Sequence, residues 1–145
     1  MQTAENEEFV VVGLSARVRN DRPSEIGELW ARFRENDVGG RLDAEASSDV
    51  YCVYHDYAGG HMDPYQMTIG YRVAPDTAIP EGLRQVTIPA QKLAVFQAEG
   101  AQPQTLVAQW QAIWNGDLNR AYAADFDVYD ANRKDRVVVH VGIST

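Results

Sequence analysis

The amino-acid sequence predicts an α+β fold in which two tandem βαββ modules form one antiparallel sheet with both helices on one face. Three observations carry this reading. The order strand, helix, strand, strand is written twice along the chain. The two helical stripes match in residue type, with Ile26, Trp30 and Phe33 corresponding to Leu106, Trp110 and Ile113 at one constant offset. Tyr51, Val53 and Tyr54 correspond to Phe126, Val128 and Tyr129 at another. An internal duplication explains these correspondences better than chance. The modules run from about 8–75 and 83–145, and residues 1–145 read as a single domain.

Taken in order, residues 1–7 are polar and expected to fray. Phe9 to Val18 is β-branched and then alternates, which predicts a strand. Pro23 opens a helix whose apolar residues Ile26, Leu29, Trp30 and Phe33 share one face, and Gly39-Gly40 ends it. A polar loop at 41–48 precedes strands at 50–57 and 66–73, joined by the turn-rich AGGHMDPY. Pro75 and Pro80 bound a further loop. LRQVTI and KLAVFQAEG, separated by Pro89, read as one long kinked strand. Leu106, Val107, Trp110, Ile113 and Trp114 mark the second helix, and strands at 124–130 and 136–143 close the chain. Two such modules leave a groove between the helices near a pseudo-twofold axis, the natural place for a ligand.

Composition narrows the function. Thirteen basic against 21 acidic residues give a formal net charge of −8, which disfavours phosphate backbones and anionic membrane surfaces. Cys52 is the only cysteine, so no intramolecular disulfide forms. The N-terminus lacks the pattern of a signal peptide and no apolar run has membrane-spanning length, so a cytoplasmic location is expected. No Gly-rich phosphate loop, G-x-S-x-G elbow or Cys-x-x-Cys pair occurs, and no cofactor is expected. His55, Asp56, His61 and Asp63 cluster, but at a spacing that matches no metal-ligand motif, so no metal is expected either. Cys52 reads as a small buried strand residue and His140 as structural.

This pattern resembles the GyrI-like (SOUL/GyrI-like) small-molecule-binding domain, also the effector-binding domain of AraC- and MerR-type regulators. The resemblance covers about Phe9 to Ile143. Its most specific part is YHDYAGGHMDPYQMTIGYRV, which is similar to stand-alone, integron-associated effector-binding proteins. IPAQKLAVFQAEG and DFDVYD extend it through the second module. In the family the penultimate strand carries Phe-Glu-x-Tyr, with the glutamate at the base of a pocket for cationic aromatic drugs. Here Phe126-Asp127-Val128-Tyr129 puts Asp127 at that position, one methylene shorter. A further acidic residue frequent on the family's last strand is missing from VVVHVGI. The resemblance implies an effector-binding domain within a regulatory or drug-sensing system, reaching DNA only through a partner protein.

The candidate ligand-binding residues are Trp30, Phe33, Tyr54, Tyr65, Trp110, Asp127 and Tyr129. A carboxylate without a partner is costly to bury, and an incoming lipophilic cation offsets that cost. Aromatic faces add ~0.5–2 kcal/mol for each cation–π contact. Such a site selects by charge and shape, so the expected partner is a small lipophilic cation. The strand's alternation leaves open which face Asp127 takes, because Phe126 and Val128 are the more apolar pair. No catalytic residue is assigned. Two alternatives stand beside binding: a hydrolase of reactive small molecules with Asp127 as general base, and a protein-interaction module of the gyrase-inhibitor type, engaging gyrase or a regulator subunit.

Overall fold

A computed structural model describes residues 2–43 and 45–144. Ala44, inside the polar loop expected at 41–48, and Met1, in the stretch expected to fray, lie outside the described residues. The strands are β1 (Gln2–Asn6), β2 (Phe9–Val18), β3 (Val50–His55), β4 (Tyr65–Val73), β5 (Arg84–Ile88), β6 (Gln91–Glu99), β7 (Ala124–Tyr129) and β8 (Arg136–Ile143). The helices are α1 (Pro23–Glu35) and α2 (Gln104–Asn115). All eight strands form one sheet in the order β1-β6-β8-β7-β3-β4-β2-β5, every pairing antiparallel. The fold is α+β, as the sequence predicts.

Two expectations need correction. The stretch expected to fray supplies β1, paired with β6 from Gln2↔Val95 to Asn6↔Gln91. Its side chains are mostly exposed, so it carries no apolar alternation for a sequence reading to find. The long kinked strand is in fact two strands far apart in the sheet. Pro89 has no N–H to give to a ladder, and the chain leaves β2 at Ile88 to enter the opposite half of the sheet at Gln91. Only Pro89 and Ala90 make that crossing, so the sheet must curl until its two halves nearly meet.

The curl gives the sheet two cores. On its concave face Phe9, Val11, Val53, Val86, Ile88, Leu93 and Phe126 pack together without a helix. On the other face Leu29 and Phe33 of α1 pack over Leu14, Cys52, Met67 and Ile69, while Leu106, Trp110 and Ile113 of α2 pack over Ala98, Val137, Val139 and Val141. Tyr54 and Tyr129 touch both helix-side clusters. Gly13 and Gly70 oppose each other on β2 and β4, and a Cβ on either would fall 2.0 Å from a carbonyl oxygen of the facing strand. Only glycine allows that close approach.

The residue correspondence has a geometric consequence at the sheet centre. Tyr51 and Phe126 are equivalent, and so are Val53 and Val128, which makes Cys52 the equivalent of Asp127. Cys52 and Asp127 are directly opposed across β3 and β7. The pseudo-twofold axis therefore passes through this pair, beneath the space between the helices.

Candidate functional site

A cavity of about 370 Å³ opens between α1 and α2, over the middle of the sheet. Ile26 and Trp30 form its α1 wall, and Leu106, Val107, Trp110 and Trp114 its α2 wall. Both walls come from the 3.6-residue stripe of each helix, whose inner residues are core and whose flanking residues face the gap. Tyr54, Tyr65, Met67 and Tyr129 form the floor on β3, β4 and β7. Tyr57 and His61 enter from the loop after β3, and Arg120 from the segment before β7. The His61 ring lies flat on Trp114, 5.4 Å between centroids, and so joins the first module's loop to the second module's helix.

Five of the residues singled out in the sequence, Trp30, Tyr54, Tyr65, Trp110 and Tyr129, line this cavity. Tyr65 opens β4 rather than sitting in the loop before it. Phe33 is placed elsewhere: it is buried beneath α1, against Trp30 and Tyr71. Asp127 is wholly buried directly behind the cavity wall and is not part of its surface. Alternation resolves as it must in a sheet with two cores: Phe126 enters the concave core, so Asp127 and Tyr129 face the helices.

The Asp127 carboxylate is held by the wall itself. The Tyr54 hydroxyl donates a hydrogen bond to Oδ2, and Trp110 Nε1 donates at 3.1 Å to Oδ1 and 3.3 Å to Oδ2. Burial pushes this carboxyl up to about 7; the Tyr54 and Trp110 hydrogen bonds pull the other way, and nearby Asp125 adds to the rise. Burial also pushes the Tyr54, Tyr129 and Cys52 protons well above their usual range, so these neighbours stay neutral. Around Asp127 the rings interlock edge to face: Tyr54 on Trp110 at 5.3 Å, Tyr54 on Tyr65 at 5.8 Å, and Trp30 on Tyr129 at 5.0 Å. The result is an aromatic hollow with one titratable charge beneath its floor.

Sequence reasoning missed Arg120, Tyr57 and Trp114 as cavity residues. Trp114 lies on the predicted α2 stripe and was legible there, but Arg120 sits in an irregular segment where no periodicity points anywhere. The cluster at residues 55–63 disperses. His55 bonds Thr68 at 2.8 Å and Asp56 at 3.1 Å, His61 stacks on Trp114, and the Gly60 amide donates to Asp63 at 2.9 Å. The Thr68-His55-Asp56 chain has the connectivity of a nucleophile and base, but Thr68 is wholly buried and bonds Ser15 at 2.8 Å, a structural role. Cys52 is likewise buried, with its thiol pushed up by burial, the opposite of an activated nucleophile. No helix among the described residues is long and apolar enough to cross a membrane.

The family model for integron-associated effector binding proteins (Cass2) matches residues 4–143. The transcriptional regulator BrlR of Pseudomonas aeruginosa is 33% identical over 112 residues, a stretch covering 72% of this chain and 39% of BrlR. The chain thus spans well under half the length of that relative. Among solved structures, the integron cassette protein VCH_CASS2 from the mobile metagenome of Vibrio cholerae superposes with a TM-score of 0.81 at 23% identity, over 99% of this chain and 95% of that one. SAV2435 bound to tetraphenylphosphonium superposes with a TM-score of 0.74 at 15% identity, over 99% and 93%. At these identities the two structures speak for the fold.

Proposed function

We propose, on the premise that this chain belongs to the family of integron-associated effector-binding proteins, that it captures amphipathic aromatic cations in the cavity between its two helices. The observation that carries the reading is the Asp127 carboxylate, buried behind Tyr54 and Trp110 and hydrogen-bonded to both. A cation resting on those rings would stabilise the ionised carboxylate through a low-dielectric wall, and the ring faces would add their own attraction. Flat apolar ligands gain roughly 25 cal/mol for each Å² they bury against the indoles and phenols. No directional bond is demanded of the ligand, so recognition is by charge and breadth. That a fold relative binds tetraphenylphosphonium supports the same ligand class. Kinship with a transcriptional regulator supports a sensing role.

All three tryptophans of the chain, Trp30, Trp110 and Trp114, line the cavity, so intrinsic fluorescence reports directly on its occupation. Titration with tetraphenylphosphonium should give saturable quenching. Tetraphenylborate, similar in shape and opposite in charge, should bind at least ~10-fold more weakly. Absence of saturable quenching by the phosphonium, or equal affinity for the two ions, would overturn the proposal.

A further inference from the structure

The cavity wall holds a second charge that capture of a bare cation leaves without a role. Arg120 precedes β7 and is tied to the sheet by a backbone bridge to Ile143. Its Nη2 donates to Asp125 at 2.7 Å, and its side chain is only 6% exposed. Asp125 is itself wholly buried and engaged on both oxygens, accepting from the Tyr57 hydroxyl at Oδ2 and from the Gly142 amide at Oδ1, 2.8 Å away. The guanidinium is thus fixed from behind. Burial works against its charge, but the Asp125 carboxylate more than offsets that, and Arg120 stays protonated.

Two of its three nitrogens are unused. Nε and Nη1 are screened from solvent and have no hydrogen-bond partner among the described residues. Buried N–H groups are almost always paired, and a guanidinium carries five of them in a planar array suited to a carboxylate. Rings crowd the guanidinium: Tyr122 at 4.3 Å, Trp110 at 5.6 Å and Tyr57 at 5.8 Å. Tyr122 is the exposed one of the three and takes a left-handed φ of 54°, an unfavourable backbone for tyrosine. Asp127 and Arg120 flank the same indole, the carboxylate at Trp110 Nε1 and the guanidinium near the ring. Their separation is therefore on the scale of one aromatic system.

We propose that Arg120 is a second anchor of this cavity, its unpaired Nη1 donating to a carboxylate or carbonyl oxygen of an aromatic ligand whose cationic end lies toward Asp127. The favoured ligands are then compact aromatic zwitterions, or cations carrying an acceptor, in preference to bare lipophilic cations. This rests on the cavity reading above and sharpens its substrate class.

Three dyes sharing one cationic xanthene core test it: a rhodamine with a free carboxylate, the methyl ester of that rhodamine, and a pyronin lacking the substituent. The wild-type protein should bind the acid at least ~10-fold tighter than the pyronin, with the ester between them. Arg120→Lys keeps a cation beside Asp125 but has one nitrogen where the guanidinium has three, so the acid's advantage over the pyronin should shrink below ~3-fold. Equal binding of acid and pyronin by the wild type, or an acid preference that persists unchanged in Arg120→Lys, would overturn the anchor and leave the cavity reading standing. If Arg120→Lys fails to fold, the wild-type comparison decides alone. Failure of all three dyes to bind the wild type would overturn both readings.

Discussion

Capture of a cation should be coupled to release of a proton from Asp127. The carboxyl is raised from 3.8 to about 7, chiefly by burial, so the empty protein carries a partly protonated acid near neutrality. A cation against Tyr54 and Trp110 favours the ionised form and pulls this value down. The sign follows: binding of a permanent cation strengthens as pH rises through about 7 and weakens below it. With the ionised form as the binding species, the competent fraction is about one in eleven at pH 6 and ten in eleven at pH 8, a ~10-fold gain or ~1.4 kcal/mol. Tetraphenylphosphonium has no titratable group, so fluorescence titrations across that range isolate the protein's contribution. The facing groups do not supply the slope: Tyr54, Tyr65, Tyr129 and Cys52 are all pushed upward and stay neutral. Arg120 remains charged throughout, paired with Asp125. His61 also lines the cavity, and His61→Gln is the control in which the slope must survive. A flat profile in the wild type, or a slope that persists in Asp127→Asn, would refute the coupling.

The same buried carboxyl bears on stability with the opposite trend. Its folded value lies above its unfolded one, so the fold loses stability as pH rises from about 4 to about 7, by up to roughly 4 kcal/mol over some three pKa units. Asp127→Asn should therefore melt higher than wild type at pH 8 and alike near pH 4, as read by thermal denaturation. Tyr54→Phe removes a hydrogen bond that lowers the carboxyl's value, so the midpoint of the binding profile should move above that of the wild type. Phe33→Ala should cost about 3 kcal/mol in urea denaturation, yet leave phosphonium affinity within ~2-fold, because Phe33 is core and not cavity wall. Trp30→Ala, half-buried on the wall, should do the reverse, weakening affinity ~10-fold at small stability cost. Gly70→Ala, whose Cβ would meet the Val12 carbonyl at 2.0 Å, should destabilise by about 3 kcal/mol or more, measured by the urea midpoint.

What the sequence could say about this fold depended on burial leaving a periodic trace. Both helices bury one stripe against a sheet, so Leu29, Trp30, Leu106 and Trp110 announce them. The strands of the sheet centre announce themselves by β-branched and aromatic runs. The outer strand β1 buries almost nothing and is held by backbone pairing, an interaction blind to side-chain type. The division at Pro89 was visible as a break, but its consequence was not, since whether a proline kinks a strand or hands it to the other half of a sheet depends on partners distant in sequence. At the candidate site, equivalent helix positions led to Trp30 and Trp110. Phe33 was named with them, yet it is core, like its counterpart Ile113. Arg120 had no trace at all: a lone basic residue in an acidic chain reads as surface until a buried carboxylate is found behind it.

The position of Asp127 on the pseudo-twofold axis explains why a duplicated fold can build such a site from one acidic residue. Each module offers one position to the axis, and the first fills it with Cys52, the second with Asp127. A carboxylate at both would place two charges face to face in a dry sheet, a cost that proteins relieve by protonating one of them. A small, neutral thiol opposite a single carboxylate leaves the charge undivided and centred beneath the cavity. Equivalent aromatics of the two modules, Trp30 with Trp110 and Tyr54 with Tyr129, then surround it from both sides. The hollow is close to symmetric in shape, and its polar chemistry is not, because Asp127, Asp125 and Arg120 all belong to the second module. A ligand with distinct ends can therefore be held in one orientation, while a near-spherical cation meets only the central charge. In the proposed capture, symmetric walls would give breadth of recognition and the one-sided charges would give selectivity.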